Sequence, residues 1–190
     1  LAETVVTNTF AIDLEVKNGE LYWSDPGEFP ILKRPTAGGE ITPLTRRIGV
    51  PVSITVRDNI LIWMDSRTGY TPYCTGPGVI RILNETDLAT KLTLPRYAGV
   101  DCAGATTDIV TTPRFIYWVS SVVSPEEYRI HRLNRETGVI VTMVKTTRRI
   151  EAMSRDATHL YWMEQNFPSP GVIRRKPLVG GEFGLVVKPP

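Results

Sequence analysis

The sequence predicts an all-β chain made of four copies of one four-stranded antiparallel unit. Three observations carry that prediction. A short tryptophan phrase occurs four times, each copy follows a strand-like stretch closed by a tight polar turn, and each is followed by a second apolar strand with basic residues close behind it.

The phrases are Leu21-Tyr22-Trp23-Ser24-Asp25, Leu61-Ile62-Trp63-Met64-Asp65, Ile116-Tyr117-Trp118-Val119-Ser120 and Leu160-Tyr161-Trp162-Met163-Glu164. Their tryptophans are the only four in the chain, spaced by 40, 55 and 44 residues. Ahead of them run the first strands, near residues 12–16, 53–56, 108–111 and 151–154, with turns at Asn18-Gly19, Asp58-Asn59, Pro113-Arg114 and Asp156. Asn-Gly and related pairs favour hairpins because they tolerate positive φ.

Third strands are expected from Ile31, Ile80, Ile130 and Ile173, and fourth strands over residues 42–44, 90–94, 139–144 and 183–187. The first and last copies also share a register: residues 31–39 read ILKRPTAGG and residues 173–181 read IRRKPLVGG. Units of roughly 40 to 50 residues, each a four-stranded meander with an aromatic signature, are β-propeller blades. A blade is covered on both faces, so its middle strands are apolar throughout, as in Ile60-Leu61-Ile62-Trp63-Met64. The tryptophans are read as core packing, filling the gap that widens away from the propeller axis. Blades are expected over residues 11–46, 51–95, 104–146 and 149–188, all in one propeller segment spanning 1–190. Alignment of Trp23 with Trp63 makes residues 3–7 the outer strand of a preceding or closing blade.

Bulk properties narrow the partners. The chain has 190 residues, 22 Lys and Arg against 20 Asp and Glu, and no basic tract, so nucleic acid is not an expected partner. No apolar run reaches the roughly 20 residues of a membrane-spanning helix, and no signal-peptide succession is present. The start at Leu1 is expected of a processed product or an internal stretch of something longer. Cys74 and Cys102 are the only cysteines; they fit either one disulfide across a blade boundary or two free thiols. No grouping of Cys, His and carboxylates has metal-ligand spacing, and no cofactor is indicated.

The phrase Tyr22-Trp23-Ser24-Asp25 resembles the YWTD propellers of lipoprotein-receptor ectodomains and of related bacterial extracytoplasmic proteins. The other copies depart from it: residues 62–65 lack the tyrosine, 117–120 lack the acid, and 161–164 substitute Glu. The resemblance covers nearly the whole chain, and the later Pro-x-x-Gly-Gly turn is most similar to the bacterial branch. It implies a location outside the cytoplasm, extracellular, cell-surface or periplasmic. It also implies a structural role for the acid of the phrase, here Asp25, Asp65 and Glu164, bracing its blade. Such propellers usually close with more than four blades. An arc of four would expose apolar faces, so a larger ring of roughly six to eight blades, or completion by a partner or second copy, is expected.

The catalytic inventory is short. His131 and His159 are the only histidines, one in a third strand and one in the turn before Leu160, and no GxSxG, P-loop or GxGxxG phrase occurs. The acid pair Glu126-Glu127 reads as a solvated loop. Recognition is expected instead in the loop at residues 66–77, where Arg67, Tyr70 and Tyr73 offer large contact area beside Cys74. The leading expectation is a non-catalytic binding or structural scaffold contacting protein through its loops. A hydrolase or lyase, or a glycan-binding module, with a site partly outside this segment is the alternative.

Overall fold

The computed structural model describes residues 4–28, 30–45, 50–57, 60–66, 79–84, 90–93, 109–123, 126–166, 168–178 and 184–187. Every regular element among them is a β-strand. The sixteen strands form four antiparallel sheets of four, each a meander of consecutive strands. This is the all-β, propeller-blade architecture expected of the repeat.

Two compact units divide the chain, residues Leu1–Ala98 and Gly99–Pro190, with two sheets in each. In the first unit, sheet 1 holds β1 (Leu14–Lys17), β2 (Glu20–Ser24), β3 (Ile31–Pro35) and β4 (Thr42–Pro43). Sheet 2 holds β5 (Val50–Arg57), β6 (Ile60–Ser66), β7 (Val79–Asn84) and β8 (Thr90–Thr93). The β1–β2 hairpin turns on Asn18 and Gly19 at φ 51° and 77°, the left-handed pair that a two-residue hairpin requires.

Alternation along β2 divides the phrase between the faces of sheet 1. Trp23 stands opposite Leu14 and Leu32, whereas Tyr22 stands opposite Glu15 and Lys33. Tyr22 and Ile31 pack into one core with Ile54, Val56, Leu61, Trp63 and Leu83 of sheet 2, and with Leu44 just beyond β4. The tyrosine face of one blade therefore lies on the tryptophan face of the next. The open edge of β5 is closed by side chains of the preceding blade: Ile54 N–H donates to Asp13 Oδ2 at 2.8 Å and Val56 N–H to Glu15 Oε2 at 2.6 Å. Those carboxylates satisfy donors that an edge strand would otherwise leave unpaired.

The second unit repeats the rule. Sheet 3 holds β9 (Ile109–Thr111), β10 (Phe115–Val123), β11 (Glu126–Asn134) and β12 (Ile140–Thr146), and sheet 4 holds β13 (Arg149–Arg155), β14 (His159–Asn166), β15 (Ser169–Pro177) and β16 (Gly184–Val187). Tyr117, Val119, Tyr128 and Ile130 of sheet 3 pack against Ile150, Met153, Leu160 and Trp162 of sheet 4. Here the edge contact runs the other way, with Arg155 Nε donating to the Thr111 carbonyl at 2.6 Å. Glu126 and Glu127 differ from the expected solvated loop: they open β11, accepting from Tyr128 Oη at 2.8 Å and from Arg129 Nε respectively. Alternation places each acid beside a same-face partner two residues on, which extends the strand.

Candidate functional site

The candidate recognition residues Arg67, Tyr70 and Tyr73, and both cysteines, Cys74 and Cys102, lie outside the described residues. Asp65 is described by its backbone alone. The chemistry the structure does display sits at the fourth position of the phrase, two residues after each tryptophan. The tryptophans themselves, Trp23, Trp63, Trp118 and Trp162, are all buried.

In sheet 4, Trp162 Nε1–H donates to Glu164 Oε1 at 2.8 Å, and Arg174 Nε lies 2.9 Å from Glu164 Oε2. Glu164 is only 2% exposed. A carboxylate so deep is tolerated because both oxygens are used and a guanidinium supplies the counter-charge. Arg174 stands directly opposite Trp162 on β15, so it reaches Glu164 diagonally along the same face. Replacing Arg174 by leucine is expected to destabilise the protein by about 1–3 kcal/mol, discounted from a fully buried pair because the guanidinium is one-third exposed. Adding Glu164→Gln should recover at least half of that loss, measured by urea unfolding of the single and double variants.

Sheet 3 has the same diagonal with different chemistry. Opposite Trp118 stands His131, whose Nε2 is 2.7 Å from Ser120 Oγ. Its Nδ1 lies 3.1 Å from Thr142 Oγ1, and the imidazole stacks on the Trp118 ring, centroids 5.2 Å apart. Ser120 and His131 are both buried, at 1% and 3% exposure. Burial holds the His131 pKa down at about 4, and the nearby Arg129 and Lys145 cations push the same way. The ring is therefore neutral at pH 7.

Sheet 1 has Leu32 opposite Trp23, so the position that supplies Arg174 in sheet 4 holds no base for Asp25. The carboxylate turns to the chain before β1 and to its own turn: Thr9 Oγ1 donates at 2.7 Å, Phe10 N–H at 3.0 Å and Gly27 N–H at 2.9 Å. Burial acts to raise the Asp25 pKa, but these three donors outweigh it and the net shift is downward. Ser120 and Glu164 are thus bonded within their own blades to the residue that faces the tryptophan on the third strand, and Asp25 to its own turn and to the chain just before β1.

Asp25 and Glu164 are visible in the sequence as phrase acids, whereas the pairing of His131 with Ser120 is not. The only signal available was that Ser120 replaces an acid where His131 falls one strand on, and that requires knowing the β10–β11 register. Among the described residues, no group of three or more His, Cys, Asp or Glu side chains comes together. No helix among them is long and apolar enough to cross a membrane.

No family profile matches the sequence, and no curated protein does. Solved structures match the fold. A chain of a nidogen–laminin complex superposes with a TM-score of 0.70 at 18% identity, over 94% of this chain and 65% of that one. A TolB-like protein from Agrobacterium tumefaciens gives 0.62 at 13% identity, over 89% of this chain and 61% of that one. The computationally designed protein Ika4 gives 0.61 at 8% identity, over 91% of this chain and 98% of that one. The blades are those of a β-propeller. This chain spans about two thirds of the nidogen-complex chain it matches.

Proposed function

We propose that this chain is a non-catalytic, extracytoplasmic β-propeller of YWTD type that serves as a protein-binding or structural scaffold through its loops. The observation that carries the reading is the use made of the polar phrase residues. Asp25 is tied to its own turn and to the chain before β1, Glu164 is tied into its own blade, and the Ser120–His131 contact is buried on a strand pair, where no substrate carbonyl can reach the hydroxyl. In the Ser-His-Asp arrangement a carboxylate orients the histidine, whereas His131 Nδ1 lies against the Thr142 hydroxyl. Rigid blades whose polar residues serve the fold leave recognition to the connecting loops. The likeness to a chain from a complex of two proteins supports a protein ligand, and resemblance to receptor ectodomains and bacterial extracytoplasmic propellers supports the location.

The test begins at the loop that carries Arg67, Tyr70 and Tyr73. A partner cross-linked in the extracytoplasmic fraction through a photoreactive group at Tyr70 is identified by mass spectrometry and then titrated against purified protein. The combined Arg67→Ala, Tyr70→Ala and Tyr73→Ala variant should bind it at least about 10-fold more weakly, with an unchanged melting temperature. Undiminished binding by that variant removes the loop from the proposal, and finding the protein only in the cytoplasm removes the location.

A further inference from the structure

Two guanidiniums of the second unit face the seam between sheets 3 and 4 with no carboxylate to answer them. Arg132 stands opposite Tyr117, on the face of sheet 3 that packs against sheet 4. Arg155 stands opposite Leu160, on the face of sheet 4 that packs back. Both side chains are half-buried. Arg132 Nη1 reaches the Leu178 carbonyl at a long 3.5 Å, and Arg155 gives Nε to the Thr111 carbonyl at 2.6 Å and Nη1 to the Asp156 carbonyl at 3.0 Å. Neither makes an ion pair among the described residues. The acids nearest them in sequence are occupied elsewhere. Glu136 lies 3.5 Å from Arg114 Nε, and the Asp156 carboxylate accepts from Thr158 N–H at 2.6 Å and from His159 N–H and the Tyr161 hydroxyl at 2.7 Å.

Both charges converge on one hydroxyl. Burial raises the Tyr117 pKa, and Arg132 and Arg155 pull the other way, which puts both within electrostatic reach of the phenol oxygen that donates to the Leu178 carbonyl at 3.3 Å. A guanidinium carries five N–H donors in a fixed fork, so the three carbonyl contacts leave most of the donors without a protein acceptor among the described residues. The Arg132 guanidinium lies over the Phe115 ring, 4.7 Å from its centroid, a stack that fixes the plane and leaves the N–H edge for a ligand. Apolar surface continues from there. Val141 stands opposite Arg132 on the same face, and alternation puts Val139 on that face as well; they are 38% and 57% exposed.

We propose that this end of the seam binds an acidic side chain of a protein partner. Arg132 donates to the carboxylate, Arg155 supplies a second positive charge near the same Tyr117 hydroxyl, and Phe115, Val139 and Val141 contact apolar residues beside the acid. A carboxylate matches the guanidinium fork with two parallel bonds, and it neutralises charge that the fold itself leaves uncompensated. Protein is the source because the valines extend the site with exposed apolar surface, which a free anion does not cover and a phosphate backbone does not use. Every residue of the site belongs to the second unit. The proposal rests on the protein-binding reading but places a contact apart from the loop at residues 66–77.

The probes are capped peptides of about a dozen residues rich in Asp, Glu, Leu, Ile and Val, with a matched set in which Asn and Gln replace the acids. Binding to the full polypeptide is read by fluorescence anisotropy. The tightest acidic peptide should bind at least about 10-fold better than its neutral counterpart, and Arg132→Gln should remove most of that difference at an unchanged melting temperature. Arg132→Gln carries the test because its one hydrogen bond is the long one to Leu178, whereas Arg155→Gln also breaks the short bond to Thr111. Val141→Ser should weaken the same peptide by about 3-fold or more. Equal binding of acidic and neutral peptides, or binding by neither set, overturns the proposal. Acidic binding that survives Arg132→Gln but is lost in the combined Arg67→Ala, Tyr70→Ala and Tyr73→Ala variant overturns this site and leaves the loop reading standing; the reverse pattern supports this site against the loop. Displacement of the peptide by inorganic phosphate, with Val141→Ser binding as tightly as wild type, marks a small-anion site and overturns the protein source.

Discussion

Truncating Trp162 to alanine is expected to cost about 3–5 kcal/mol, measured as the loss in unfolding free energy in guanidinium chloride. The indole is 1% exposed and sits among Tyr117, Ile130, Met153 and Leu160, where two sheets of one unit meet. Alanine leaves a cavity that the strands on either side close only in part. The substitution also removes the indole N–H from Glu164 Oε1, so a buried carboxylate oxygen loses a donor as well. Trp162→Phe separates the two contributions: it keeps most of the apolar contact and should cost about 1–2 kcal/mol. A loss below about 1 kcal/mol for Trp162→Ala would mean that the inter-sheet core is not what holds this unit together. Marginal domain stabilities of about 5–15 kcal/mol make the expected loss large enough to unfold a substantial fraction of the molecules on mild warming.

The same tryptophan shows what was legible in the sequence. A phrase that alternates a tyrosine and a tryptophan on one strand assigns them to opposite faces, because successive side chains point opposite ways. Four spaced copies, with Asn18-Gly19 closing the first hairpin, are sufficient to predict four meandering sheets, and four sheets are present. The partner of each fourth phrase residue was not legible. Glu164 stands opposite Val172 and Ser120 opposite Arg129, but their bonds run diagonally to Arg174 and His131. Nothing local in the sequence fixes that diagonal, because the second and third strands are joined by loops of differing length. Glu126 and Glu127 escaped for a related reason. Acidic pairs are depleted in strands, and only the alternating Tyr128 and Arg129 partners make one acceptable at the start of β11.

His131 makes one unit pH-sensitive in a direction set by its burial. Its folded pKa is about 4, against an ordinary value of 6.5, so between those values the unfolded chain binds a proton that the folded chain refuses. Stability from the neutral ring is therefore fully present above pH 6.5 and is lost as pH falls toward 4. The shift corresponds to roughly 3 kcal/mol at its full extent. Protonation is opposed first by burial and then by the like charge of Arg129 and Lys145, around a ring whose face stacks on Trp118 and whose nitrogens meet the Ser120 and Thr142 hydroxyls. Sheet 4 answers the same packing problem with a carboxylate and a guanidinium, Glu164 and Arg174, so the imidazole sensitivity belongs to sheet 3. Urea unfolding at pH 7.5 and pH 4.5 should show the wild-type protein losing about 2–3 kcal/mol more than His131→Gln, which has no proton to gain there. Subtracting the variant removes the contribution of every carboxylate that titrates in the same window. Parallel losses in the two proteins would show that the ring is solvated in solution. A smaller wild-type loss would mean that the imidazolium is stabilised in the fold, the opposite sign from the one its burial dictates.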